Sequence, residues 1–142
     1  MQKTYLCIDL KSFYASVECV EQGLDPFEVN LVVADPTRGG GAITLAATPA
    51  IKKLGVSSRG RIFEIDPTIE YMIAPPRMHL YMEYSCRVYK IFLEFIAKED
   101  IHVYSIDESF LDITSYLKLY QVNAKELAKK ILDRIYEKTG LT

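Results

Sequence analysis

Residues Ile101 to Ile113 read IHVYSIDESFLDI. Two runs rich in β-branched and aromatic residues, 101–106 and 109–114, flank a single polar pair, Asp107-Glu108. The spacing predicts a β-hairpin with those two acids as its whole connection. Two-residue hairpin loops take type I′ or II′ turns, which favour Asn-Gly or Gly-X, and a glutamate at positive φ is strained. The pair is therefore a poor turn. A solvated hairpin tip is one reading; a site that needs two fixed carboxylates is the other.

Working outward, Asp9 adds a third acid. Residues 4–9 (TYLCID) read as a short buried strand with Asp9 at its end. If this strand neighbours the hairpin in one sheet, Asp9, Asp107 and Glu108 converge at one edge. Three carboxylates cannot share a small space as anions without a compensating charge. A hard divalent cation supplies it, since Mg²⁺ takes oxygen ligands, a few carboxylates together with substrate phosphates. Two such ions are a template for in-line phosphoryl transfer.

The rest of the chain alternates between helix and strand. Residues 11–22 read as a helix with Phe13, Val17 and Val20 near helical spacing and Gly23 as its stop. Leu31 to Ala34 is a short apolar strand, Gly39-Gly40-Gly41 a mobile loop, and Ala42 to Ala46 extended again. Thr48 is placed to cap a short helix that opens with Pro49 and closes at Gly55. Arg59, Arg61, Pro67 and Pro75-Pro76 mark an irregular, partly basic connection. Tyr81 to about Ala97 predicts an amphipathic helix with Val88, Ile91, Phe92, Phe95 and Ile96 on one face. Asn123 and Gly140 frame a last helix, with Glu126 completing a capping box and Leu127, Ile131, Leu132 and Ile135 as its apolar stripe. This order asks for one more strand after the last helix, so the chain reads as part of a longer protein.

Composition narrows the class. The 142 residues suffice for one domain with a real core, and 49% hydrophobic with 25% charged is an ordinary globular balance. There is no membrane-length apolar run and no signal-peptide pattern. The three cysteines, Cys7, Cys19 and Cys86, make no CxxC pair, which points to a reducing, cytoplasmic setting without disulfides or zinc. A net charge of −2 argues mildly against nucleic-acid binding. That objection weakens if the site is acidic and metal-loaded, or if basic surface lies outside these residues.

The motifs carry a resemblance. IDLKSFYASVE (Ile8 to Glu18) and YSIDESFLD (Tyr104 to Asp112) resemble signature motifs of the Y-family, lesion-bypass DNA polymerases, which include the UmuC and ImpB/MucB/SamB proteins. TPAIKKLGV (Thr48 to Val56) and RGRIFEI (Arg59 to Ile65) look like the matching fingers segment. The resemblance implies an α+β fold: a ferredoxin-like βαββαβ palm, incomplete for want of its final strand, with a small fingers subdomain inserted. On that map residues 1–24 and 77–142 are palm and 25–76 are fingers. Asp9, Asp107 and Glu108 would be the catalytic, metal-binding carboxylates, and the Leu10 backbone carbonyl a further ligand. The cofactors would be two Mg²⁺ ions, with Mn²⁺ as a substitute. The partners would be primer-template DNA and deoxynucleoside triphosphates, with a sliding clamp recruited through a C-terminal part not within these residues, and no membrane.

Further roles follow from the same map. Tyr14 matches the aromatic gate that excludes a ribose 2′-hydroxyl, and Phe13 would help shape that pocket. Lys52 lies where the family has a basic residue for the triphosphate. The family often has Asn-Tyr a few residues earlier, where this chain has Thr48-Pro49. Proline cannot make the tyrosine's phosphate contact, so either Thr48 replaces it or the contact is absent. Arg59 or Arg61 would face DNA. The implied function is templated DNA synthesis in damage tolerance of the SOS type. The thumb and little finger that grip the duplex lie outside the 142 residues, so the isolated piece is expected to be inactive. Two other readings stand beside it: a ferredoxin-like nucleotidyl cyclase, which would not need the FYASVE gate, and a non-catalytic DNA-binding relative, which would be expected to have lost a carboxylate.

Overall fold

The computed structural model describes residues 3–10 and 12–141. In chain order the elements are β1 (Tyr5–Asp9), α1 (Phe13–Glu21), β2 (Leu31–Val33), β3 (Ala46–Ala47), α2 (Pro49–Lys52), β4 (Met72–Ala74), α3 (Met78–Phe95), β5 (Ile101–Val103), β6 (Glu108–Asp112), α4 (Thr114–Leu119) and α5 (Ala124–Thr139). They form two compact units. The first comprises the described residues up to Leu10 and from Met82 onward; the second runs from Ser12 to Tyr81.

The first unit is built on an antiparallel sheet in the order β1–β6–β5. Its register pairs Tyr5 with Asp112, Cys7 with Phe110 and Asp9 with Glu108, while Ile101 faces Leu111 and Val103 faces Ser109. Side chains alternate between the two faces of a strand. Ile8, Ile101, Ser109 and Leu111 turn to the buried face, and Tyr5, Cys7, Asp9, His102 and Phe110 to the open one. On α3, Tyr84, Val88, Ile91 and Phe92 are buried, four residues at helical spacing. α5 lies beside α3: Arg87 Nη2 donates to the Lys138 carbonyl (2.8 Å) and Arg134 Nε to Glu94 (2.9 Å). Asn123 caps α5 through its side-chain oxygen, which accepts from Glu126 N (2.8 Å), and Gly140 ends it at φ 80°. The frame read from sequence holds at both ends. The apolar stripe needs one correction: Leu127, Ile131 and Ile135 are buried, but Leu132 is 43% exposed.

The second unit has its own three-stranded sheet, β3–β2–β4, with β2 antiparallel to β3 and parallel to β4. Leu31, Val32 and Val33 are all fully buried, as expected of a central strand covered on both faces. α1 packs against β2 and β3. A local core of Val32, Ala47, Ile51 and Ile65 is ringed by Val56, Ile62, Ile69 and Tyr71. The two compact units part at the start of α1, which contacts β2 and β3, whereas the motif map groups residues 1–24 as palm.

Other departures have simple causes. The triglycine segment is a 3₁₀ helix over Pro36–Gly41 rather than a free loop. Asp35 starts it by accepting from Thr37 N (3.0 Å) and Thr37 Oγ1 (2.7 Å), and Gly39 kinks it at φ 59°, which glycine tolerates. The connection read as irregular contains β4. Three residues, MIA, carry too little periodicity to be legible without their parallel partner. α4, at six residues, is too short for a helical period to show. The hairpin loop is Tyr104 to Asp107, with Glu108 already inside β6. The objection to an Asp-Glu turn therefore dissolves, because Glu108 is extended ladder and needs no positive φ.

Candidate active site

Asp9 closes β1 and Glu108 opens β6, and the register sets them directly opposite each other on the open face. Directly opposed residues hold their Cβ atoms about 5 Å apart, and like charges so placed repel. None of the ion pairs among the described residues involves either acid. Asp107 sits at the same strand ends. Leu10 N–H donates to its carbonyl (2.9 Å), which carries the β1 ladder one bond beyond Asp9. Ser105 Oγ donates to Asp107 Oδ1 (3.0 Å) and restrains that carboxylate.

The loop that presents Asp107 is tied from inside and from below. Tyr104 N and Ser105 N both donate to the Glu108 carbonyl, at 3.0 and 3.1 Å. Ser85 of α3 donates its hydroxyl to the Ile106 carbonyl (2.6 Å). A cavity of about 20 Å³ beneath the loop is lined by Ile8, Val88, Phe92 and Ile106 among others. On the open face, Tyr104 meets Phe110 edge-on, with ring centroids 6.0 Å apart. Asp112 accepts from the Thr114 hydroxyl (2.7 Å) and backbone (3.1 Å), and these bonds hold its carboxyl below the usual aspartate range.

The structure thus sets Asp9, Asp107 and Glu108 at neighbouring strand ends of one sheet. Among the described residues, however, no three His, Cys, Asp or Glu side chains are gathered closely enough to hold one ion. What the backbone provides is a platform, with two acids opposed and a third beside them. The donor set fits a hard divalent cation: all side-chain donors are carboxylate oxygens, and an opposed, uncompensated pair of acids gains from a cation placed between them.

The other site candidates lie in the second unit. Tyr14 is half-buried, while Phe13 is 3% exposed and belongs to the core. The Phe13 ring centroid lies 6.0 Å from that of Tyr14, with the planes tilted by 56°. The reading of Thr48 as a phosphate contact is corrected. Thr48 is fully buried, and its hydroxyl donates to the Val29 carbonyl (2.7 Å) while accepting from Leu31 N (3.2 Å) and Ile51 N (3.4 Å). Nothing is left for a phosphate. Lys52, Arg59 and Arg61 are exposed, and Arg61 Nη1 donates to the Gly41 carbonyl (2.6 Å). Sequence reasoning missed Ser12. It precedes α1 at φ 52°, a strained value for a residue with a side chain, and its buried hydroxyl has no partner among the described residues.

Comparison with known proteins decides the lineage. The sequence model of the impB/mucB/samB family matches residues 8–142. The chain belongs to that family. UvrX of Bacillus subtilis is 39% identical over 99% of the chain, and "DNA polymerase IV 2" of the same organism is 36% identical over 99%. The chain spans about a third of the length of each, 32% and 33%. The "DNA repair protein homolog YozK" of B. subtilis is 40% identical over 75% of the chain and 93% of its own length. Among solved structures, an insertion ternary complex of Dbh DNA polymerase matches with a TM-score of 0.78 at 29% identity, over 97% of the chain and 40% of that protein. DinB from Sulfolobus solfataricus matches with 0.77, also at 29%, over 97% and 40%. An impB/mucB/samB chain with these neighbours has the Y-family palm and fingers fold, so the fold class read from sequence stands. Among the described residues no helix is long and apolar enough to cross a membrane.

Proposed function

We propose that the chain is the catalytic portion of a template-directed, lesion-bypass DNA polymerase. The observation that carries this reading is the β1–β6 register, which opposes Asp9 to Glu108 and bonds Leu10 to Asp107 across the same strand ends. The first unit is then the palm and the second the fingers. The substrates are primer-template DNA and a deoxynucleoside triphosphate, and the reaction is attack of the primer 3′-hydroxyl on the α-phosphate.

Asp9, Asp107 and Glu108, with the Leu10 carbonyl, would hold divalent cations, two Mg²⁺ or Mn²⁺ in their place, which when bound would supply charge stabilisation for the attacking hydroxyl and the leaving pyrophosphate. The chain's own work is placement. Ser105 and Ser85 fix the loop that carries Asp107, so the carboxylate need not reorganise during reaction. Lys52 meets the triphosphate as a point charge. Tyr14 sets its ring against the sugar and leaves no room for a 2′-hydroxyl. Arg59 and Arg61 face the DNA backbone.

Metal binding tests this without turnover. In the folded chain, Mn²⁺ should broaden the NMR signals of residues 8–10 and 105–109 selectively, and Asp9→Asn should abolish the effect. Broadening centred elsewhere would place the metals wrongly.

A further inference from the structure

Glu18 is 2% exposed and is the only charged side chain fully buried among the described residues. Its partners all come from the turn that opens α3. Arg77 Nε donates to Oε2 (3.1 Å) and Nη2 to Oε1 (2.5 Å), a two-pronged grip, and the Tyr81 hydroxyl donates to Oε2 (2.6 Å). Arg77 is half open to solvent, whereas Tyr81 is fully buried. Burial and the carboxylate acceptor push the Tyr81 hydroxyl well above the ordinary tyrosine range, so it stays a donor.

The same tyrosine makes a second contact. Its ring stacks on Tyr14, with centroids 4.5 Å apart and planes 15° from parallel. Tyr14 and Glu18 are four residues apart on α1 and share one face. Tyr81 therefore spans that face, its ring on Tyr14 and its hydroxyl on Glu18. A buried ion pair is weak grounds for stability, because apolar replacements of similar volume often do as well. What it offers here is geometry. The charge fixes the hydroxyl, the hydroxyl fixes the ring, and the ring limits how Tyr14 can tilt.

We propose that Glu18, together with Arg77, is a positioning residue for Tyr14 and so governs how strictly the site separates deoxyribose from ribose. This rests on the reading that Tyr14 faces the sugar. Substitutions that keep shape but break the network, Tyr81→Phe and Glu18→Gln, would loosen this one restraint on the Tyr14 ring without removing the ring.

The test measures single-nucleotide insertion by the protein at its native length, as kcat/KM for a deoxynucleotide over that for the matching ribonucleotide. Tyr81→Phe and Glu18→Gln should each lower that ratio about fivefold to tenfold, chiefly by raising ribonucleotide insertion. Tyr14→Ala should lower it much further, and adding Tyr81→Phe to Tyr14→Ala should change nothing more. The upfield ring shift of Tyr14 should be lost in Glu18→Gln. Tyr81→Phe serves as the milder probe if Glu18→Gln fails to fold. A ratio unchanged in Tyr81→Phe while Tyr14→Ala abolishes selectivity would overturn the proposal and leave the polymerase reading intact. Selectivity unchanged in Tyr14→Ala itself would overturn both the gate assignment and the proposal.

Discussion

Replacing Thr48 by valine removes one hydroxyl and little volume, and the structure says what that hydroxyl does. It accepts from Leu31 N, donates to the Val29 carbonyl, and caps α2 through Ile51 N. Losing a side-chain N-cap costs about 0.5–2 kcal/mol. Leaving the Leu31 N–H buried without a partner costs about 1–3 kcal/mol. The two overlap, so Thr48→Val should destabilise by about 1–4 kcal/mol, or lower Tm by roughly 3–15 °C in a chain of this size. Thr48→Ser keeps the oxygen and should recover most of the loss. Urea unfolding followed by circular dichroism, with triphosphate affinity measured in parallel, separates the possibilities. A change under about 0.5 kcal/mol, with nucleotide affinity falling instead, would show that the hydroxyl is not needed by the backbone. It would return Thr48 to the phosphate site from which its burial removes it.

Two further outcomes follow from burial. Ile131→Ala should cost about 2–5 kcal/mol, since Ile131 is fully buried in α5. Its neighbour Leu132, 43% exposed, should tolerate alanine within about 0.5–1 kcal/mol by the same unfolding assay. Of the three cysteines, Cys7 and Cys86 are exposed and should react promptly with a thiol reagent at pH 8. Cys19 is fully buried, and burial, aided by the nearby Asp25 and Glu18 charges, raises its thiol to about 11. Roughly one molecule in a thousand then carries the Cys19 thiolate at pH 8, so mass spectrometry should show it modified only on unfolding.

The carboxylate edge was legible because its signals are local and strong. Asp9 ends an apolar strand, and Asp107-Glu108 interrupts a hairpin. The caps Thr48, Asn123 and Gly140 were legible for the same reason, since a cap is a short-range chemical pattern. What was not legible depended on distant partners. β4 is three residues that become a strand only by pairing with β2, where Leu31 meets Met72. The stripe reading of Leu132 failed because periodicity identifies a face without fixing its width. Thr48 is legible as a cap, but its further bonds to the backbone of residues 29 and 31, which leave nothing for a phosphate, are not. The Glu18–Arg77–Tyr81 network joins side chains some sixty positions apart, which no local window displays.

Catalysis of templated nucleotide addition by the Asp9, Asp107 and Glu108 group is the proposal on which the other proposed roles rest. The most direct test is Mg²⁺-dependent primer extension by the protein at its native length, beside the same protein carrying Asp107→Asn. This substitution keeps the volume and backbone of the loop while removing one charge from the edge. The wild type should add the deoxynucleotide that complements the template, and Asp107→Asn should lose that activity by at least about a hundredfold with folding unchanged. Extension that survives in the variant, or a folded, DNA-binding wild type that never extends a primer, would contradict the proposal.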